Sequence, residues 1–145
     1  MVRVYWSSVV GAPIARVWAH IRDFNGLPGW HPAFENSHIE NGKASEQVGC
    51  VRNFHLKDGG NIREQLLAFS DVDCYCTYTI LNSPLPIVNY VSTIRLRPIL
   101  DGDRTYAEWT ATFDVEADQK EAMEKTLTEG VYRTGFDALK AHFGG

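Results

Sequence analysis

Residues 104–143 read RTYAEWTATFDVEADQKEAMEKTLTEGVYRTGFDALKAHF, and the fold turns on a change of period partway along them. Up to Val115 the residues alternate. Ala107, Trp109, Ala111 and Phe113 share one face, while Tyr106, Glu108, Thr110 and Thr112 share the other. This predicts a strand from Arg104 to Val115 with one face buried. From Asp118 the period becomes helical. Met123, Leu127, Val131, Thr134 and Ala138 form one stripe, and Tyr132, Phe136, Leu139 and Phe143 a neighbouring one. Asp118 suits the N-cap, with Glu121 completing a capping box. Glu121/Lys125 and Glu129/Arg133 have the spacing of ion pairs on an exposed helix face. Such a helix runs about 25 residues, or roughly 37 Å. It is the only element long enough to cover the apolar face of a sheet.

Upstream lie six more extended segments. Asp101-Gly102-Asp103 turns the last strand back onto Val88 to Leu100, where Val88, Tyr90, Ile94 and Leu96 share a face interrupted by Ser92. Ser83-Pro84-Leu85-Pro86 is a rigid loop ahead of it. Asp73 to Leu81, rich in Cys, Tyr, Thr and Ile, precedes the loop. Asn61 to Ser70 and Gly49 to Leu56 form a hairpin through Lys57-Asp58-Gly59-Gly60, whose glycines offer positive φ. Phe34 to Asn41 is weakly apolar. At the front, Val2 to Val10 reads as a strand. Pro13 then opens a helix with Ile14, Val17, Trp18, Ile21 and Phe24 on one stripe, stopped at Asn25-Gly26. Leu27 to Pro32 makes a turn or brief second helix. No repeat or linker interrupts the chain, so it reads as one α+β domain.

Composition narrows the function. The 145 residues carry a net charge of -4 and no basic stripe, which argues against nucleic-acid binding. No window approaches about 18 consecutive apolar residues, so no membrane span is expected. The start has no sustained apolar core of a signal peptide and reads as mature protein. Three cysteines, two of them at 74 and 76, make a disulfide framework improbable and a reducing cytoplasm the simpler setting. The five histidines are scattered without metal-ligand spacing, so no metal and no cofactor are expected. Self-association as a monomer or homodimer stays open. At 16.3 kDa there is material for a single core. Yet 12% of the residues are Phe, Trp or Tyr. Rings in such number either fill a core or line a cavity.

In order along the chain, Pro13 with Val17-Trp18, Asp23-Phe24, Trp30-His31-Pro32, Val48-Gly49-Cys50-Val51-Arg52, Glu64, Ser83-Pro84-Leu85-Pro86, Asn89-Tyr90, Trp109 and Phe113 resemble the START/Bet v 1-like (SRPBCC) superfamily, in its bacterial polyketide cyclase/dehydrase-like branch. The resemblance implies the helix-grip fold, a seven-stranded antiparallel sheet wrapped around a long C-terminal helix, with two short helices after the first strand. It also implies an internal cavity for a hydrophobic or lipid-like ligand, and fixes no reaction. The plant abscisic-acid receptors are more distant relatives. They carry a ligand-binding lysine where Glu35 stands here, and a cavity glutamate that matches Glu64.

Glu64 faces inward if Leu66 and Ala68 do. A desolvated carboxyl there has a raised pKa and can orient a ligand or move a proton; the alternative is an ion pair with Arg52. His31 is a proton shuttle if it opens on the cavity mouth, and otherwise bonds loop backbone. Trp30, Phe34, Phe54, Leu66, Tyr78, Tyr90, Trp109, Phe113, Leu127 and Val131 are the candidate walls. The expected function is binding of a hydrophobic or aromatic small molecule, polyketide- or lipid-like. A cofactor-free cyclase or dehydratase using Glu64 and His31 as acid and base is one alternative. A protein-interaction module without a small ligand is another.

Overall fold

The alternating segments pair into one seven-stranded antiparallel sheet of order β1-β7-β6-β5-β4-β3-β2. In the computed structural model, which describes residues 1–145, the strands are β1 (Val2–Val10), β2 (Phe34–Ile39), β3 (Val51–Leu56), β4 (Asn61–Ser70), β5 (Tyr75–Asn82), β6 (Ile87–Ile99) and β7 (Arg104–Val115). From β2 to β7 the sheet is a meander, and β1 closes it by lying beside β7. The expected turns form where the glycines permit them. Gly59 has φ +98° between β3 and β4, and Gly102 has φ +86° between β6 and β7. The accessible surface, 7414 Å², is close to the roughly 7,500 Å² expected of a single folded domain of this mass.

Helix α1 (Ile14–Ile21) buries Val17, Trp18 and Ile21 against the sheet. Asp71, beyond β4, ties it down by accepting from Trp18 Nε1 at 2.8 Å and Arg22 Nε at 2.9 Å. The sequence places the end of α1 at Asn25-Gly26, but the helix ends earlier, at Ile21. Asn25-Gly26 lies inside a separate 3₁₀ segment, Phe24–Gly29, because the Asp23 carboxylate accepts from the Asn25 N–H and starts a new turn.

The C-terminal helix follows a turn at Ala117–Gln119. It comprises α2 (Lys120–Lys125), a π-helical segment (Thr126–Arg133) and α3 (Thr134–Phe143). The expected capping box is absent, since no side chain caps this helix start. The ion pairs also differ: Lys120–Glu124 at 3.1 Å and Arg133–Asp137 at 3.7 Å replace Glu121/Lys125 and Glu129/Arg133. The π turns carry an extra residue per turn and shift the faces. Just past them the Thr134 hydroxyl donates back to the Glu129 carbonyl at 2.7 Å.

On β7 the inner face is as expected, with Ala107, Trp109, Ala111 and Phe113 buried. On β6 the pattern breaks at Val88, which is 63% exposed. Asn89, at φ +55°, sets a register shift between Val88 and Val91, so residues before it lose the parity of those after it. The core divides in two. A large cluster joins α1, β6, β7 and the C-terminal helix, and a small one holds Leu27, Phe34, Phe54 and Ile62.

Candidate ligand-binding cavity

A cavity opens at the seam between the two clusters. The small cluster contributes all four of its members to the wall, and the large one contributes Tyr78, Tyr90, Trp109 and Leu127. Alternation places the polar pair: Arg52 and Phe54 point inward from β3, and Ile62 and Glu64 from β4. The π-helical segment lays Thr126, Leu127 and Val131 across the top, and Leu85 closes the side from the β5–β6 loop. Twelve of the fifteen lining residues are hydrophobic, so an occupant must be mainly apolar. The cavity volume is about 70 Å³. That is room for a compact ring and not for an extended chain.

Glu64 and Arg52 form the polar wall. Arg52 and Glu64 are 5% and 6% exposed. Arg52 Nε and Nη2 both donate to Glu64 Oε1, at 2.9 and 2.7 Å, and Nη1 donates to the Phe24 carbonyl at 2.9 Å. The guanidinium also lies 3.9 Å from the Phe24 ring centre and 4.7 Å from that of Tyr78, so aromatic faces replace water around the cation. Glu64 is thus both ion-paired to Arg52 and part of the cavity wall. Burial raises its carboxyl above the ordinary value, with the Arg52 charge pulling the other way.

Tyr78 and Tyr90 reach the cavity from β5 and β6. Trp109 Nε1 donates to the Tyr78 hydroxyl at 3.0 Å, and the Tyr90 and Tyr132 hydroxyls bond at 2.7 Å. Burial lifts both Tyr78 and Tyr90 well above the usual phenol range.

Eight of the twelve residues expected at the site line this cavity: Phe34, Phe54, Glu64, Tyr78, Tyr90, Trp109, Leu127 and Val131. The other four are placed elsewhere. His31 is not at a mouth. It is 1% exposed and braces two backbones: Nδ1 accepts from the Ala33 N–H at 3.1 Å, so Nε2 carries the proton and donates to the Val131 carbonyl at 2.7 Å. Burial pulls its pKa down to about 4. Trp30 is half-buried and borders a smaller recess on the far side of Arg52. Leu66 and Phe113 are fully buried core. Phe113 shares a face with Trp109, but four residues along a strand is about 13 Å, which carries it past the cavity. Tyr132 and Phe136 are likewise core, the former stacked 4.9 Å from Trp109. Glu35 is exposed on β2. Arg52 was expected mainly as a partner for Glu64, yet it is also wall. Leu27, Leu56, Ile62, Ile80, Leu85 and Thr126 are walls that residue type alone did not mark, although strand parity from Glu64 reaches Ile62.

The three cysteines are free, and no group of three or more His, Cys, Asp or Glu side chains converges as a metal site would require. No helix is long and apolar enough to cross a membrane.

A bent antiparallel sheet gripping one long helix, with an apolar cavity between them, defines the helix-grip class of ligand-binding proteins. The chain belongs to the family described as polyketide cyclase / dehydrase and lipid transport, whose pattern it matches over residues 1–144. Among solved structures it is similar to an uncharacterized protein from Bacillus thuringiensis, at 32% identity over 98% of both chains with TM-score 0.87. It is similar also to the protein XoxI from Bacillus cereus, at 34% identity over 99% of this chain and 96% of that one, TM-score 0.86. A Thermobifida fusca protein is 27% identical over 99% and 94% of the two chains, with TM-score 0.89. No curated protein matches the chain. The family suggests hydrophobic ligand binding.

Proposed function

We propose that this protein binds a compact hydrophobic or aromatic molecule, polyketide- or lipid-like in character, in the cavity between sheet and C-terminal helix. The observation that carries the reading is the composition of the wall: apolar except for one buried carboxylate–guanidinium pair, the Thr126 side chain and tyrosine hydroxyls. A few fixed polar groups in an otherwise apolar pocket orient a ligand whose affinity comes from burial. The acid–base alternative draws less support. His31 has both ring nitrogens engaged with backbone outside the cavity, and the phenols of Tyr78 and Tyr90 hold their protons far above neutral pH. That leaves Glu64 without a second proton-transfer group.

Native mass spectrometry of the protein purified from its own host tests this. The expected result is an added mass that denaturation releases as a small apolar molecule. An unliganded mass, together with failure to bind any of a panel of one- and two-ring hydrophobic compounds, overturns the reading.

A further inference from the structure

The polar atoms of the cavity are not equivalent, and their hydrogen-bond directions select among ligands. Glu64 receives both Arg52 bonds on Oε1. No protein donor reaches Oε2, and that oxygen is not sealed from the cavity its side chain lines. Oε2 is therefore an acceptor open to a ligand. Ser92 Oγ donates to the Thr110 carbonyl at 2.9 Å, so it can only accept from the Tyr132 hydroxyl, 3.4 Å away. Tyr132 also bonds the Tyr90 hydroxyl at 2.7 Å, so these two phenols satisfy each other. Tyr78 differs. It accepts from Trp109 Nε1 and keeps its own O–H to give.

The Glu64 Oε2 acceptor and the Tyr78 donor fit a hydroxyl, which gives one hydrogen bond and takes another. They oppose a carboxylate, which would place a second anion against Glu64, while the Arg52 guanidinium is already engaged by Glu64 and the Phe24 carbonyl. Resting on the binding function proposed above, we infer that the ligand carries an uncharged hydroxyl or phenol on its apolar frame, set to donate to Glu64 Oε2 and accept from Tyr78, and that the cavity discriminates against carboxylic acids.

Three probes of one shape test this at neutral pH: para-propylphenol, propylbenzene and para-propylbenzoate, titrated calorimetrically. The phenol should bind at least about tenfold more tightly than the hydrocarbon, the scale of one buried hydrogen bond to a charged acceptor. The carboxylate should bind most weakly. Glu64→Gln should shrink the phenol's advantage and raise the carboxylate's affinity, while Tyr78→Phe should shrink the phenol's advantage alone. Equal binding of phenol and hydrocarbon by the natural protein, or a carboxylate as tight as the phenol, overturns the inference and leaves hydrophobic binding standing. Binding of none of the three overturns both. The ranking on the unaltered protein decides even where a variant fails to fold.

Discussion

His31 illustrates how one side chain can be indispensable without touching a ligand. Its ring joins the Phe34 end of the loop to the Val131 carbonyl, and Val131 is cavity wall. Only the neutral tautomer with its proton on Nε2 makes both bonds. The sign of its pH dependence follows. The folded pKa is about 4, against 6.5 for a free imidazole. Between those values the unfolded chain takes up a proton that the folded one refuses, so stability falls as pH drops through that window. The loss should approach about 3 kcal/mol at its lower end. Urea titrations at several pH values measure it. The slope between pH 4 and 6.5 should flatten in His31→Asn, whose lower overall stability comes from the lost brace. An unchanged slope would place the pH sensitivity in another group. Glu40, held at about 2 by Arg63, adds a loss in the same direction, but below its unfolded value of 4.5.

At the scale of elements, the contact between C-terminal helix and sheet depends on a missing side chain. A β-carbon on Gly135 would lie 2.8 Å from His31 Cδ2 and 3.1 Å from Trp109 Cζ3, two rings with no room to retreat. Gly130, on the same helix, would meet nothing within 4 Å. The two glycines therefore predict opposite signs for one chemical change. Gly135→Ala should destabilise by about 1–3 kcal/mol through overpacking. Gly130→Ala should stabilise by up to about 1 kcal/mol through backbone entropy and helix propensity. Thermal unfolding of both variants checks the pair, and the same sign in both would show that the approach at Gly135 is not tight. The helix was legible as an element because its apolar stripes recur along nearly its whole length. Its π-helical middle was not. Local sequence carries no signal for a wider turn that owes its stability to Tyr132 and Leu127 seated against the sheet.

For the whole molecule, ligand and fold are linked through the seam between the two core clusters. An occupant would bridge them and stabilise the native state. At 100 times its Kd it should add about 2.7 kcal/mol, seen as a rise of roughly 5–10 °C in Tm. Leu85 closes one side of the cavity, and its loop is braced by Leu85 N–H to Ser83 Oγ and Ile87 N–H to the Leu85 carbonyl. The neighbouring β3–β4 turn is in contact range, with the Gly60 β-carbon position 3.6 Å from Pro84. Leu85→Ala should therefore speed both association and dissociation in stopped-flow measurements, dissociation the more because a wall contact is lost. Unaltered rates would move the way in elsewhere, for instance to the groove of about 300 Å³ between the splayed ends of β5 and β6, which shares Ile80 and Tyr90 with the cavity.

The sequence by itself determined the strands, their turns, the covering helix and the inward parity of Glu64 and Trp109. These depend on periodicity and on glycine conformations, which act over a few residues. Only the tertiary structure decided which rings became wall and which became core. Trp109 and Phe113 are indistinguishable by parity, as are Glu64 and Leu66. What separates them is distance along a strand from the seam between two clusters, and that seam exists only once Leu27, Phe34, Phe54 and Ile62 have packed apart from the rest. His31 moved furthest from its expected role for the same reason. Its two backbone partners lie at positions 33 and 131, and only folding brings the second within reach of its ring.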